Sequence, residues 1–197
     1  MNYDNSNLPY RRKSPDMSTK SQLDEDEIVA RLYAGDYSTI EDIFHAYFDR
    51  LYSLVYYSVE KDQDVAEDIT QETFVSALKS LKNFNGKSKL YTWLVGIANH
   101  KIVDYYRHLE RERKRFNRAA YDTSNVTSID NSSNLDIENT LSGLPLDYRQ
   151  VLLLKYVDEM PVAEISKIMK KTPKSIEGLL TRARKAFRNQ NNNKGKG

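Results

Sequence analysis

Apolar residues recur at three-and-four spacing along most of this chain, in runs separated by short polar breaks. The clearest run holds Ile40, Ile43, Phe44, Tyr47, Leu51, Leu54 and Val55 on one helical stripe. Its aromatic rings are expected in a core rather than on a stacking platform. A shorter helix precedes it, with Ser21 and Asp24 as a capping-box pair, Ile28 and Leu32 one turn apart, and Gly35 as a left-handed C-cap. Ser38 and Glu41 repeat the capping signal for the second helix. A third helix is predicted from Asp62–Asp64 to about Leu81, with Val65, Ile69, Thr73, Ala77, Leu78 and Leu81 facing inward. Its other side collects Asp64, Asp68, Gln71, Glu72, Val75 and Lys79. The helix dipole favours acids near an N-terminus without any partner. A solvated face and a docking face therefore both stay open, although an exposed Val75 among acids argues for docking.

The break that follows, Asn83-Phe84-Asn85-Gly86-Lys87-Ser88-Lys89, contains the turn signal Asn-Gly. Ser88 is placed to cap the next helix. Amides, a hydroxyl and two lysines in so short a loop suit a polar ligand, and unpaired bases are one such ligand. The fourth helix is predicted from Leu90 to about Asn117, with Trp93, Leu94, Ile97, Ala98 and Tyr105 inward. Its second half carries Arg107, Arg111, Arg115 and Arg118 at helical spacing, joined by Arg113 and Lys114, with Lys101 upstream. Glu110 and Glu112 neutralise part of this run, so a solvated charged face and a phosphate-binding face are both open.

Residues 119–135 change character, with many Ser, Asn, Thr and Asp, no lysine or arginine and no stripe. They read as a flexible linker and domain boundary. Beyond it, short helices are expected over Asp136–Ser142, Asp147–Val157 and Val162–Met169. Thr172 and Pro173 then open a longer helix reaching Arg188. Short helix, tight turn and longer basic helix is the order of a helix-turn-helix. The last helix buries Ile176, Leu180, Ala183 and Phe187 and turns outward Lys174, Ser175, Glu177, Gly178, Thr181, Arg182, Arg184, Lys185 and Arg188. Gly178 in a helix interior costs ~1 kcal/mol against alanine, which makes sense where something must approach the backbone closely. Glu177 could accept from a cytosine amino group. The competing reading of this helix is a basic amphipathic helix that closes a small bundle.

Composition narrows the class. Few glycines and prolines fit an all-α protein. The pattern gives two small helical domains: a disordered tail 1–20, a first domain 21–118, the linker 119–135, a second domain 136–190 with the helix-turn-helix, and a disordered tail 191–197. With no cysteine, there is no disulfide framework, thiolate metal site or thiol nucleophile. No apolar run is long enough for a membrane span, and Arg11-Arg12 lacks the apolar segment of a twin-arginine signal, so the expected location is the cytoplasm. A net charge of +2 is too mild to indicate nucleic acid from the total alone. The acids Asp62, Asp64, Glu67, Asp68 and Glu72 could be taken for metal ligands, but His45, His100 and His108 lie apart without ligand spacing. No metal, cofactor or catalytic residue is expected. A stand-alone helix-turn-helix regulator would explain only the second half of the chain.

Two sets of motifs resemble a known family. The first is Ala66-Glu67-Asp68-Ile69-Thr70-Gln71-Glu72-Thr73-Phe74, then Phe84-Asn85-Gly86, then Tyr91-Thr92-Trp93-Leu94 with Ile97-Ala98, Asp104 and Arg107. It is similar to the second conserved region of bacterial extracytoplasmic-function (ECF) sigma factors, group 4 of the housekeeping-sigma superfamily. The second is Leu144-Pro145 with Arg149, Leu153-Leu154-Lys155-Tyr156, Glu164-Ile165 and Arg182-Ala183-Arg184-Lys185. It looks like their fourth region. The resemblance implies a factor that binds core RNA polymerase, recognises promoter DNA and starts transcription. Asp64, Asp68, Gln71, Glu72 and Val75 would dock on the clamp coiled coil of the largest subunit. Asn83, Asn85, Lys87, Ser88, Lys89, Trp93, Lys101, Arg107 and Arg111 would meet the minus-ten element. The outward residues of the last helix would read the minus-35 element while their domain sits on the flap of the second-largest subunit. Anti-sigma factors are common partners in this family, and nothing in the sequence identifies one. Glu177 and Leu179 depart from the basic residues many members carry there.

Overall fold

The computed structural model describes residues 27–119 and 140–194, except 29, 32, 33, 37, 82, 83 and 85. The expectations for both tails and for the linker therefore fall almost wholly outside the described residues. Within them the chain is helical and contains no strand. The elements are α1 (Thr39–Ser58), α2 (Gln63–Ser80), α3 (Leu90–Ala119), α4 (Leu146–Leu152), α5 (Val162–Ile168) and α6 (Pro173–Lys194). A π-helical turn, Leu153–Val157, continues α4. No described helix is long and apolar enough to cross a membrane.

The first body packs α1, α2 and α3 around Ile43, Leu51, Leu54, Val55, Ile69, Leu94 and Ala98, with Ile28 from the preceding helical segment. The capping pair expected at Ser38 does not form. The Ser38 hydroxyl instead donates to Asp36 Oδ1 at 2.6 Å, and Asp36 also takes Arg31 at 2.9 Å. Ser38 also takes helical backbone angles, φ −65° and ψ −24°, and its Oγ accepts from Arg31 Nη2 at 3.2 Å instead of from the first turn of α1. Gly35 does hold the left-handed backbone, at φ +81°. Helix α1 closes through Lys61 N–H to Tyr56 C=O at 2.9 Å, with Glu60 at φ 60° where glycine is usual. Asp62 caps α2 by accepting from Val65 N–H at 3.1 Å.

The buried face of α2 is rotated from the expected one. Ala66, Ile69, Thr70, Thr73, Phe74 and Ala77 are inside, while Leu78 is 42% exposed. Thr70 and Thr73 can be buried because their hydroxyls donate to the carbonyls of Ala66 and Ile69, at 2.6 and 2.7 Å. In α3 the first turn begins with Trp93 N–H bonded to Lys89 C=O, which puts Lys89 rather than Ser88 at the N-cap position.

The second body packs α4, α5 and α6 around Val151, Leu153, Leu154, Ile165, Ile176 and Leu180. Thr172 Oγ1 accepts from Ser175 N–H at 3.2 Å, the predicted cap, and Pro173 opens α6. Helix α6 runs through Lys194, beyond the expected start of a tail at 191, and Gln190 Nε2 ties its end to Gly143 C=O at 2.9 Å. Leu179 is buried, so its departure from the family pattern has no bearing on the outer face.

The two bodies pack on each other through two polar anchors. At one, the Arg149 guanidinium is 2% exposed. It donates to the carbonyls of Leu141, Ser142 and Leu144 in its own body. Across the boundary it reaches Ser58 C=O, the Tyr106 hydroxyl and Glu60 Oε1, at 2.9, 3.1 and 2.9 Å. At the other, buried Asp158 leaves the π turn and accepts from Arg50 Nε and the Tyr91 hydroxyl, both at 2.9 Å. The Arg50 guanidinium lies 4.0 Å from the centre of the Tyr91 ring. Between the anchors, Thr92 donates to Glu164 Oε2 at 2.6 Å and Asn99 to Ile168 C=O at 3.3 Å.

Both anchors can be tested. Arg149→Ala would orphan several buried carbonyls and is expected to cost about 3–5 kcal/mol of unfolding free energy in urea titration. Arg50→Ala, with a half-exposed guanidinium, should cost clearly less. Burial holds the Asp158 carboxyl above its usual range, against the opposing pull of Arg50 and Tyr91. A carboxyl raised in the packed state contributes its full stability below the ordinary carboxylate value and loses it as pH rises through the raised one. The unfolding midpoint of the native chain minus that of Asp158→Asn should therefore grow as pH falls.

Candidate functional site

Three surfaces carry the residues singled out from sequence, and packing keeps each of them open. On α2, Asp64, Asp68, Gln71, Glu72 and Val75 are all exposed along one face, with Val75 48% accessible. Gln71 Nε2 donates to Glu67 Oε1 at 3.3 Å, which leaves Asp64 and Asp68 toward solvent. An exposed apolar side chain one turn from Glu72, on a face that also carries Asp64 and Asp68, offers a basic partner both charge and a small desolvated contact. Phe44 on α1 is also exposed, at 37%, with its ring 5.0 Å from that of buried Phe74.

The second surface is the turn into α3. Asn83 and Asn85 lie outside the described residues. Gly86 takes φ +68°, a left-handed conformation that suits the Asn-Gly signal. Phe84 is buried, and its ring packs 5.0 Å from that of half-buried Trp93, fixing the loop to the helix start. Lys87 and Lys89 are exposed and Ser88 is half-buried. Further along α3, Arg107 and Arg111 are exposed. Arg107 is paired with Asp104 at 3.3 Å, Lys114 with Glu110 at 2.9 Å and Arg115 with Glu112 at 3.0 Å. Lys114 and Arg107 hold Glu110 and Asp104 as local counter-charges, and the carboxyl of Glu110 is lowered by its bond to Lys114. Lys101 does not point away from the acidic face. Its Nζ lies 2.9 Å from Glu72 Oε2, so the structure joins a residue expected on the polymerase side to one expected on the DNA side.

The third surface is the outer stripe of α6. Lys174, Ser175, Glu177, Gly178, Thr181, Arg182, Arg184, Lys185 and Arg188 are all exposed. Arg182 and Arg184 lean back on the carbonyls of Gly178 and Leu180, each at 3.3 Å, and Arg184 reaches Thr181 Oγ1 at 3.4 Å. Nothing lies within 4 Å of where a Cβ on Gly178 would sit, so internal packing does not require glycine there. Between α5 and α6 the chain turns through Lys170 at φ 52°, closed by Lys171 N–H to Ser166 C=O at 3.0 Å.

Sequence reasoning missed the residues of the boundary between the bodies: Arg50, Glu60, Tyr91, Arg149, Asp158 and Glu164. One signal was available. Arg149 sits in an apolar run with no acid three or four residues away on its own helix, so its charge had to be met by another part of the chain. Among the described residues no three acidic or histidine side chains converge to hold a metal ion.

The chain is similar to known proteins over both bodies. The sigma-70 region 2 family profile matches residues 43–112 and the sigma-70 region 4 profile residues 134–187. The chain is 30% identical over 154 residues to the ECF RNA polymerase sigma factor SigM of Bacillus subtilis, covering 76% of this chain and 93% of that one. It is 29% identical over 178 residues to SigW of the same organism, covering 82% and 94%. Its fold is similar to that of the sigma factor RpoE from Bartonella quintana, solved with the anti-sigma factor NepR. The TM-score is 0.64 at 20% identity, over 76% of this chain and 94% of that one.

Gly178 gives a direct test of the α6 face. With open space around it, Gly178→Ala should stabilise the second body by up to ~1 kcal/mol in thermal denaturation, the helix-propensity difference. A partner that approaches the backbone closely would be pushed back by the added methyl, so affinity for target duplex should fall while stability rises.

Proposed function

The chain belongs to the ECF sigma factors of bacterial RNA polymerase, and on that footing we propose which of its surfaces meets which partner. As a sigma factor it binds core polymerase, recognises promoters and directs transcription initiation. Its relatives are sigma factors, and the chain is assigned no catalytic chemistry of its own. The exposed acidic face of α2, centred on Asp68, Glu72 and Val75, docks on the clamp coiled coil of the largest subunit. The loop before α3, with Trp93, Lys101, Arg107 and Arg111, holds the opened minus-ten strand. The α6 stripe reads the minus-35 element, and its body rests on the flap of the second-largest subunit. The observation that carries this reading is that the acidic α2 face, Lys87, Lys89, Arg107 and Arg111 around α3, and the α6 stripe are all exposed, in the order the family motifs follow. An anti-sigma factor is proposed as a regulatory partner, because the sigma factor RpoE of similar fold was solved with one.

Promoter geometry adds a requirement. The two elements lie about 25 base pairs apart by their names, on the order of 85 Å of duplex at ~3.4 Å per pair. The packed bodies together measure about 40 Å by the usual scaling of radius with length. Simultaneous contact therefore needs the bodies to separate at Arg149 and Asp158. Residues 120–139 could span at most about 70 Å when extended, and the bodies supply the rest.

Run-off transcription with purified core polymerase on genomic fragments tests the function and reveals the promoter. Asp68→Arg should reduce retention of the chain on core polymerase at least about tenfold, by placing like charge against a basic surface. Its unfolding midpoint should hold, since the side chain is solvent-exposed. Unchanged retention would count against the α2 docking face.

A further inference from the structure

The Glu72–Lys101 pair joins two faces that the proposed function assigns to different partners. Lys101 Nζ meets Glu72 Oε2 at 2.9 Å across the packing of α2 on α3, with the lysine side chain 23% exposed and the glutamate 68%. The carboxylate is thus open to an incoming cation, while the ammonium lies tucked beneath it. Asp104, one helical turn from Lys101, is already engaged by His100 at 3.0 Å and Arg107 at 3.3 Å. Glu72 is therefore the acid that holds Lys101 in this structure.

Resting on the sigma-factor reading of these faces, we propose that the pair couples polymerase docking to strand binding. A cationic side chain of the partner takes Glu72, and Lys101 is released to a phosphate of the strand lying along α3. An ammonium already bonded to a carboxylate presents little net charge to a phosphate, because the two fields largely cancel at that distance. A guanidinium arriving from outside can form a bidentate bond with the exposed carboxylate and displace the single lysine contact. The lysine then swings on its four-carbon stem toward the nearest phosphate. Coupling of this kind is reciprocal, so a strand that captures Lys101 also leaves Glu72 freer for the polymerase. The pair is partly exposed and its strength modest, which sets the expected effect at about two- to fivefold. Glu72 is on this account a positioning residue for Lys101 as well as a docking residue.

The test is a double-mutant cycle on the full chain: native, Glu72→Gln, Lys101→Met and the double variant. Methionine keeps the apolar stem, and thermal melting checks that each variant folds. Binding of short oligo(dT) at low ionic strength is read by fluorescence anisotropy, with retention on core polymerase measured in parallel. Glu72→Gln should raise oligo(dT) affinity about two- to fivefold, Lys101→Met should lower it, and Glu72→Gln should change nothing once Lys101 is gone. An equal gain from Glu72→Gln in both backgrounds would reflect loss of a negative charge alone and would overturn the coupling. So would no gain in either background. Weakened polymerase retention by Glu72→Gln upholds the docking reading whatever the oligonucleotide arm gives. Unaltered retention removes that reading, and the coupling with it.

Discussion

The Arg149 guanidinium lies out of water where three chain segments end. Around it are the carbonyls of Leu141, Ser142 and Leu144, the last carbonyl of α1 at Ser58, the Tyr106 hydroxyl and the carboxylate of Glu60. Helix C-termini present carbonyls with no intrahelical donor, and they carry the negative end of the helix dipole. A planar cation with five N–H donors meets several such acceptors at once. A buried guanidinium is costly alone, but here each side removes the other's unpaired groups. The left-handed Glu60 is held in place by the same bond, so the turn from α1 to α2, and with it the direction of the acidic face, depends on a residue from the other body.

Asp158 is the opposite pole of this boundary, and it is less well satisfied. Its Oδ1 takes both Arg50 and Tyr91, while Oδ2 is buried without a hydrogen-bond partner. Burial also keeps the Tyr91 phenol protonated well above its ordinary range, so it remains a donor to the carboxylate. A boundary anchored by charges can be opened at lower cost than an apolar one of equal size, because both groups regain water on separation. The exposed residues of the three faces are not among those that bond across this boundary. Separation would change the reach of the protein, not the chemistry of its surfaces.

The periodic parts of the molecule were legible in the sequence. Stripes such as Ile43, Leu51, Leu54 and Val55 report a core directly, and the Thr172-Pro173 and Asn-Gly signals are local chemistry that needs no tertiary context. Ser38 failed because its hydroxyl donates to Asp36 and accepts from Arg31, and spacing rules do not weigh such competitors. Leu78 failed because Ala66, Thr70 and Phe74 take the inner face, with the Thr70 hydroxyl satisfied by the Ala66 carbonyl and the Phe74 ring packed on Phe44 and Phe48. The π turn at Leu153–Val157 widens the helix by one residue per turn, exposes Tyr156 and Val157 and delivers Asp158 inward; no composition signal marks such a turn. The boundary between the bodies was invisible for a simpler reason. Its partners, such as Arg50 and Asp158, are 108 residues apart.

The charge pattern of α3 explains why a nucleic-acid-binding chain can carry so little net charge. Lys101, Arg107, Lys114 and Arg115 each have a carboxylate within ion-pair distance. Those four cations are thus met within the protein, and a phosphate must displace an internal partner at each of them, whereas exposed Arg111 reaches the Arg107 carbonyl and not a carboxylate. Every such exchange releases one pair to form another, so its net gain is small, and long-range steering by the run is weak. Tight strand binding then has to come from outside the free protein. On the proposed assignment of faces, polymerase would supply it by holding both bodies near the same duplex, where two modest contacts act at high effective concentration. A field muted in this way would restrain the free protein from holding DNA indiscriminately and, on the proposed assignment, leave the choice of site to the assembled complex.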